Sequence, residues 1–240
     1  MILYDFSAID VKFFTTTRRH GVPMTIRLHR GDLPDLSRYR NGAVAIDTET
    51  MGLDPHRDRL CVVQLSPGDG SADVVQIPSG SPNSSSGPNP FARLSAPNLT
   101  ALLADPGIVK IFHFARFDLG ILYHAFGTMP GPVYCTKIAS RLTRTYTDKH
   151  GLKDLVREVL GVDLSKQQQS SDWGADDLTD AQVSYAASDV LYLHALRTKL
   201  DAMLARERRT DLANSCFAFL PDRVRLDLMG WAAEDIFAHS

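Results

Sequence analysis

The sequence has few cysteines and no closely spaced pair of them. Only Cys61, Cys135 and Cys216 occur among 240 residues, so a CxxC-type zinc site is excluded and no disulfide framework is indicated. No apolar run approaches the ~20 residues of a membrane helix. The N-terminus lacks the basic and apolar regions of a signal peptide. These absences predict a cytoplasmic protein with reduced thiols.

The net charge is also close to zero. The chain has 26 basic and 28 acidic residues and a pI near 6.4. A protein that tracks long nucleic acid would usually be more basic, because counterion release supplies much of its affinity. The balance therefore favours a short substrate or a small basic patch. With 44% hydrophobic residues, a chain of this length is expected to form one domain with a sizeable core.

Strands and helices alternate in the first half of the chain, and helices alone follow. A long helix is expected from Asp180 to about Leu204, with a capping box at Thr179 and Gln182. The pattern predicts an α/β fold with a central, mixed five-stranded sheet flanked by helices and a helical C-terminal part. Apolar runs place the five strands at 43–47, 60–66, 72–77, 107–114 and 133–136.

One segment stands apart from this pattern. Residues 78–90 contain only proline, serine, glycine and asparagine. Such a segment buries no apolar surface, which predicts a flexible surface loop. It is not expected to be a domain boundary, because the strand pattern resumes after it.

Four carboxylates come from three places in this arrangement. Asp47 and Glu49 end a strand and stand two residues apart, so alternation places both on one face. Asp118 follows the fourth strand, and Asp189 lies in the long late helix, one turn after Tyr185. Each acid alone has an ordinary explanation, as a turn cap, a first-turn acid or a polar-face residue. Together they form an oxygen-only ligand set that suits Mg²⁺ or Mn²⁺ rather than zinc.

The order of these residues resembles that of a known family. Asp-x-Glu, His-x4-Asp and Tyr-x3-Asp on these elements resemble the DEDDy 3′–5′ exonucleases of the ribonuclease H-like fold. The stretch "SSDWGADDLTDAQVSYAASDVLYLH" is similar to the ribonuclease D branch. The stretches "DTETMGLDPHRDRLCVVQLS", "KIFHFARFDL" and "SKQQQSSDW" resemble the nanoRNase C family of alphaproteobacteria within that branch. The resemblance covers residues 24–240, interrupted by the 78–90 loop. Residues 24–240 are therefore expected to form a single exonuclease domain, and residues 1–23 a disordered extension or a mis-assigned start.

This resemblance implies a reaction and its cofactors. It implies that Asp47, Glu49, Asp118 and Asp189 hold two divalent cations, Mg²⁺ or Mn²⁺. A phenol with a reference pKa of about 10 is a poor base at neutral pH, so Tyr185 is expected to orient the attacking water. The implied activity is hydrolysis of very short RNA from the 3′ end to nucleoside 5′-monophosphates. Dinucleotides with a 5′-phosphate, such as pGpG, are the expected substrates.

Several side chains are candidates for contacting this RNA. Leu53 matches the leucine that wedges between two bases in dinucleotide-processing relatives, with a core leucine as the alternative. His113 is either a buried structural histidine or a substrate contact. Two polar stretches offer donors for a terminal phosphate, each of which could equally belong to a solvated face: Arg141, Arg144, Lys149, His150, Lys166, Gln169 and Ser170.

Two other functions stay open on the sequence alone. One is ribonuclease D-like trimming of tRNA or other longer RNA 3′ ends, although ribonuclease D carries additional helical domains for which this chain has no room. The other is a nucleic-acid-binding module without catalysis, which the complete acidic set argues against. The resemblance also implies a homo-oligomer, an octameric ring, which nothing in the periodicity of the chain indicates.

Overall fold

A seven-stranded sheet forms the centre of the protein. The computed structural model describes residues 12–17, 23–79, 94–165, 167–168 and 170–239. The order of the strands across the sheet is β1-β2-β5-β4-β3-β6-β7. Three neighbouring pairs are parallel and three antiparallel, so the sheet is mixed. The strands are β1 Lys12–Thr17, β2 Pro23–Arg30, β3 Ala43–Thr50, β4 Leu60–Ser66, β5 Ala72–Gln76, β6 Val109–Phe112 and β7 Val133–Cys135.

Strands β1 and β2 are additional to the five that were expected, so the predicted strand number is wrong. In β2, Ile26 and Leu28 are buried and alternate with the less buried Thr25 and Arg27, a pattern typical of a half-buried strand. The expectation of disorder is wrong for Lys12–Thr17, which pair with β2. Pro23, the last residue of the predicted extension, begins β2. Residues 1–11 and 18–22 of that extension and residues 80–90 of the predicted loop lie outside the described residues.

Helices surround this sheet. The expected long helix from Asp180 is divided at Leu191 and Tyr192. No glycine or proline marks this break, which follows from packing, since the first part packs on the sheet and the second mainly on neighbouring helices. No helix that the structure describes has the length and hydropathy needed to cross a membrane. The described α-helices are α1 Pro97–Ala104, α2 Ala115–Phe126, α3 Thr136–Thr143, α4 Leu152–Leu160, α5 Asp180–Val190, α6 Leu193–Arg206 and α7 Thr210–Leu226.

Helix α5 is held firmly over the middle of the sheet. It packs against β3, β4 and β5, and the capping box of Thr179 and Gln182 begins it as expected. Its side chains Val183, Ala186 and Val190 are completely buried, and burial of a valine contributes roughly 1.5–3 kcal/mol. The helix that carries Tyr185 and Asp189 therefore has a fixed position over the strand that carries Asp47 and Glu49.

Candidate active site

Three carboxylates meet where β3 and α5 pack together. Asp47 and Glu49 project from the second half of β3, and Asp189 projects from the last turn of α5. One oxygen of each carboxylate lies within 4.8 Å of the others. Alternation along β3 places Asp47 and Glu49 on the same face of the sheet. This group of Asp47, Glu49 and Asp189 is called the acidic trio below.

Burial and mutual repulsion dominate the electrostatics of the acidic trio. Burial raises the pKa of Asp47 to about 7. Burial, followed by the charges of Asp47 and Asp189, raises the pKa of Glu49 to about 9. The pKa of Asp189 is also raised, by burial and by Asp47. Repulsion among the three carboxylates favours their protonated forms, and a bound divalent cation would take the place of these protons. The oxygen-only trio therefore fits Mg²⁺ or Mn²⁺.

Asp118, the fourth predicted ligand, lies outside the acidic trio but close to it. It is only 2% exposed, and its Oδ1 accepts a hydrogen bond of 2.8 Å from the Thr48 hydroxyl. Thr48 stands between the two acids of β3 and therefore faces the other side of the strand. Burial and the charge of Asp47 raise the pKa of Asp118. Its carboxylate is thus influenced by the charge of Asp47. It also accepts a hydrogen bond from Thr48, a residue on the opposite face of β3.

Tyr185 lies beside the acidic trio, one helical turn before Asp189. Its side chain is partly buried, and its ring centroid is 6.1 Å from that of Trp173. Burial and the charge of Asp189 raise the pKa of its phenol above the ordinary value. The hydroxyl therefore stays protonated at neutral pH, as a hydrogen-bonding group rather than a base.

A cleft of about 330 Å³ opens beside these residues. The cations among its described lining residues are Lys137, near the start of α3, and Lys153, in the first turn of α4. Sequence reasoning missed both, and it missed Phe114, although Lys153 ends the basic stretch that begins at Arg141. The cleft is lined by the acidic trio and Tyr185, and by Thr48, His113, Phe114, Lys137, Gly151, Leu152, Lys153, Asp154, Leu164 and Ser165.

Of the two substrate contacts proposed nearest the acids, His113 lines the cleft and Leu53 does not. The Nδ1 of His113 is 2.9 Å from the hydroxyl of Thr136. Burial and the nearby Lys137 lower the pKa of His113 to about 3, so its ring is neutral. Leu53 is 81% exposed in the turn after β3. The alternative reading of Leu53 as a core residue is therefore wrong.

The structure contradicts the prediction that Arg144 contacts a substrate phosphate. Its side chain is completely buried and pairs with Glu158. Its guanidinium also donates to the Ser140 hydroxyl at 3.0 Å and to the Lys149 carbonyl oxygen at 2.9 Å. These contacts bind the α3–α4 connection together, so Arg144 has a structural role.

The other predicted phosphate donors that the structure describes do not line the cleft. Arg141, Lys149 and Ser170 are exposed and do not line it. His150 is buried, with its Nδ1 2.9 Å from the Ser140 hydroxyl. Lys166 and Gln169 lie outside the described residues.

Comparison with known proteins establishes the class to which this site belongs. A family model described as a 3′–5′ exonuclease matches residues 35–205, well over half of the chain. The chain therefore belongs to the 3′–5′ exonuclease family. The resemblance to the ribonuclease D-like branch and the expected ribonuclease H-like α/β fold are both confirmed.

Within this family, the chain is similar to NrnC of Brucella melitensis. A structure of that protein is 63% identical, with a TM-score of 0.83, and the match covers 90% of this chain and 98% of that one. A form with bound Mg²⁺ is 61% identical, with a TM-score of 0.82 over 90% of this chain and 99% of that one. A form bound to pGG is 63% identical, with a TM-score of 0.83 over 90% of this chain and all of that one.

Curated relatives include proteins named ribonuclease D. That of Gluconacetobacter diazotrophicus is 35% identical over 183 residues, which are 76% of this chain and 43% of that protein. The chain thus spans less than half the length of the curated relatives it matches.

Proposed function

We propose that the chain is a metal-dependent 3′–5′ exoribonuclease of very short RNA. It hydrolyses 5′-phosphorylated dinucleotides such as pGpG in preference to longer RNA and releases nucleoside 5′-monophosphates. The observation that carries this proposal is the acidic trio with Tyr185 in a chain 63% identical to a protein whose structure contains pGG. The cleft volume of about 330 Å³ is at the lower end of ligand pockets, roughly 300–1,000 Å³, which suits a small substrate.

The four carboxylates would hold the cofactor. Asp47, Glu49 and Asp189, with Asp118 next to them, supply oxygen ligands for two divalent cations, Mg²⁺ or Mn²⁺. When bound, the cations supply Lewis acidity that acidifies the attacking water and offsets charge on the leaving oxygen. The relative with bound Mg²⁺ supports this assignment.

The remaining residues of the cleft position the RNA and the water. The Tyr185 hydroxyl, kept protonated by its raised pKa, holds the attacking water in line with the scissile phosphorus. Lys137 and Lys153 supply positive charge for phosphate oxygens. Arg141 and Ser170 remain candidates for the 5′-phosphate because both side chains are exposed.

A series of substrate lengths tests the proposal. Hydrolysis of 5′-phosphorylated RNAs of two, five, ten and twenty nucleotides is measured with Mn²⁺, and EDTA is the control. The rate should be highest for the dinucleotide and should vanish with EDTA. Removal of the 5′-phosphate should weaken dinucleotide binding by orders of magnitude. A rate that rises with length, or equal affinity with and without the phosphate, contradicts the dinucleotide preference.

Processing of longer RNA 3′ ends is the second candidate function. The 35% identity to a protein named ribonuclease D favours it. The same length series decides between the two, because an enzyme of this kind should hydrolyse the twenty-nucleotide RNA or a tRNA 3′ end faster than the dinucleotide.

We also propose that the protein assembles into a homo-octameric ring in the cytoplasm. The resemblance to the nanoRNase C family is the basis for the ring. Exposed apolar side chains near the end of the described chain, Met229, Trp231 and Phe237, supply the kind of surface that an interface covers. The free thiols of the cysteines support a reducing compartment. Light scattering after size exclusion measures the assembly, and a monomeric mass contradicts it.

A further inference from the structure

Phe114 occupies an unusual backbone conformation at the edge of the active site. Its φ and ψ are 73° and 46°, in the left-handed region, immediately before the first residue of α2. This region is unfavourable for a bulky L-residue, whereas glycine adopts it readily. The chain therefore places a phenylalanine where the backbone favours a smaller residue, and strained positions of this kind cluster at functional sites.

The ring of Phe114 is not part of the hydrophobic core. The residue is 44% exposed, although Phe112, two residues before it, and Ala115, directly after it, are completely buried. It lines the same cleft as Tyr185 and the acidic trio. Because nucleobases stack on exposed aromatic faces, this ring is suited to hold a base next to the carboxylates.

Lys137 contacts this ring and places a positive charge next to it. The Nζ of Lys137 lies 4.1 Å from the centroid of the Phe114 ring, within the range of a cation–π interaction. Lys137 also lines the cleft. An aromatic face and an ammonium group side by side match the two parts of a nucleotide, its base and its phosphate.

We propose that Phe114 is the platform on which one base of the RNA substrate stacks, with Lys137 holding the ring and placing positive charge beside the phosphate of that nucleotide. This inference rests on the proposed function, since it takes short RNA as the substrate. It adds the residue that contacts a base. Every base has an aromatic face, so this contact requires a base but discriminates little between bases.

Binding of modified dinucleotides to Phe114 variants tests this contact. The probes are a 5′-phosphorylated dinucleotide and two analogues that lack the base at the 5′ or the 3′ nucleotide, with Ca²⁺ replacing Mg²⁺ to slow hydrolysis. Phe114→Ala should weaken binding of the full dinucleotide about 5- to 150-fold, the range for one stacked base. Phe114→Leu should lose most of this affinity, and Phe114→Trp should retain it.

The base-free analogues identify the stacked base. For one of them, wild type and Phe114→Ala should bind equally, because the base that Phe114 contacts is absent. If Phe114→Ala binds the full dinucleotide as well as wild type does, or weakens both analogues as much as the dinucleotide, the proposal is overturned.

Two controls separate this proposal from folding defects and from the proposed function. Leu212→Ala removes an exposed apolar side chain (the residue is 54% exposed) from α7 outside the cleft lining, and should leave binding unchanged. Wild-type hydrolysis of the dinucleotide is measured in parallel, and its absence would contradict only the proposed function. Stacking is then decided with a nucleoside 5′-monophosphate and ribose 5-phosphate: Phe114→Ala should weaken only the former, and equal effects on both overturn the proposal.

Discussion

Two carboxylate sites of this protein, Asp73 and the acidic trio, are built in opposite ways. Asp73 of β5 is surrounded by donors: the Nε2 of His29 at 2.9 Å, the hydroxyl of Tyr39 at 2.6 Å, and the guanidinium groups of Arg27 and Arg38 at 3.7 and 3.6 Å. The acidic trio, two strands away, forms no ion pair with a basic side chain of the described chain.

This difference separates a structural carboxylate from a functional one. The donors around Asp73 compensate for its desolvation and tie β2, β5 and the turn at Tyr39 together. The acidic trio is less buried and has no positive charge to offset the repulsion among its carboxylates, which destabilises the fold unless a ligand supplies that charge. The absence of basic partners, rather than burial, therefore indicates where a cation is expected to bind.

Removal of one member of the acidic trio should have the largest effect. Asp189→Ala should lower kcat/KM for the dinucleotide at least about 10³-fold, because the charge stabilisation supplied by the cations is worth several kcal/mol. The metal-free variant should not unfold at a lower temperature than wild type, since the repulsion with Asp47 is reduced. Calorimetric titration with Mn²⁺ and thermal unfolding measure the two effects. An unchanged Mn²⁺ affinity would argue against the ligand role.

The corresponding substitution at Asp73 should lower the stability of the protein and leave catalysis unchanged. Asp73→Asn should lower the free energy of unfolding by about 3 kcal/mol, because it leaves buried donors without their charged partner. The activity of the folded variant should equal that of wild type. Asp177→Asn is the control, since Asp177 is exposed and its only ion pair within the described residues is with the exposed Arg30, so its loss should cost less than about 1 kcal/mol. Denaturant unfolding measures both free energies. Equal losses for the two variants would contradict the structural role of Asp73.

Removal of the Tyr185 hydroxyl should affect catalysis and leave the cation site intact. Tyr185→Phe should lower kcat about 10²-fold, the usual loss for one positioned hydrogen-bonding group in an active site. The Mn²⁺ affinity and thermal stability should stay at the wild-type values, because the ring packing beside Trp173 is retained. Turnover close to that of wild type would refute the water-orienting role.

The pH dependence of the metal-free protein provides a smaller, graded test. The folded pKa values of about 7 for Asp47 and about 9 for Glu49 exceed the unfolded values of about 4. The folded state then binds more protons than the unfolded state, so stability falls as the pH rises from about 4 to about 9. A cation replaces these protons, so stabilisation by Mg²⁺ should increase over the same range.

Thermal unfolding at several pH values measures this effect. Between about pH 5 and pH 9, the melting temperature with EDTA should fall on the order of 5 °C more than with Mg²⁺. Glu49→Gln should flatten the curve measured with EDTA. A metal-free protein that becomes more stable over this range would contradict the assigned electrostatics.

Local patterns made part of the fold predictable. The apolar runs indicate β3 to β7, and the capping box at Thr179 indicates the start of α5, because both signals lie within a few residues. Strand β2 was missed although Ile26 and Leu28 alternate with polar residues. The division between α5 and α6 carries no local signal, since it results from packing against different neighbours.

Near the site, two neighbouring basic residues also show the difference between what local sequence signals and what tertiary packing decide. Arg141 and Arg144 stand three residues apart in one basic stretch, and the sequence offers no reason to treat them differently. Arg144 is buried and forms an ion pair with Glu158 on α4, whereas Arg141 stays exposed. Lys137 could not be selected from the sequence, because nothing near it indicates that α3 places it in the cleft.

The sequence by itself determined the chemistry of this protein: the acids and their order, the spacing of Asp47 with Glu49 and of Tyr185 with Asp189, and hence the family. The tertiary structure decided which charged groups are available. It gathers three of the acids, pairs Asp118 with Thr48, and brings Phe114 and Lys137 into the cleft. The physical reason is that periodicity sets the face on which a side chain lies, whereas its charge is free or neutralised according to partners distant in the sequence.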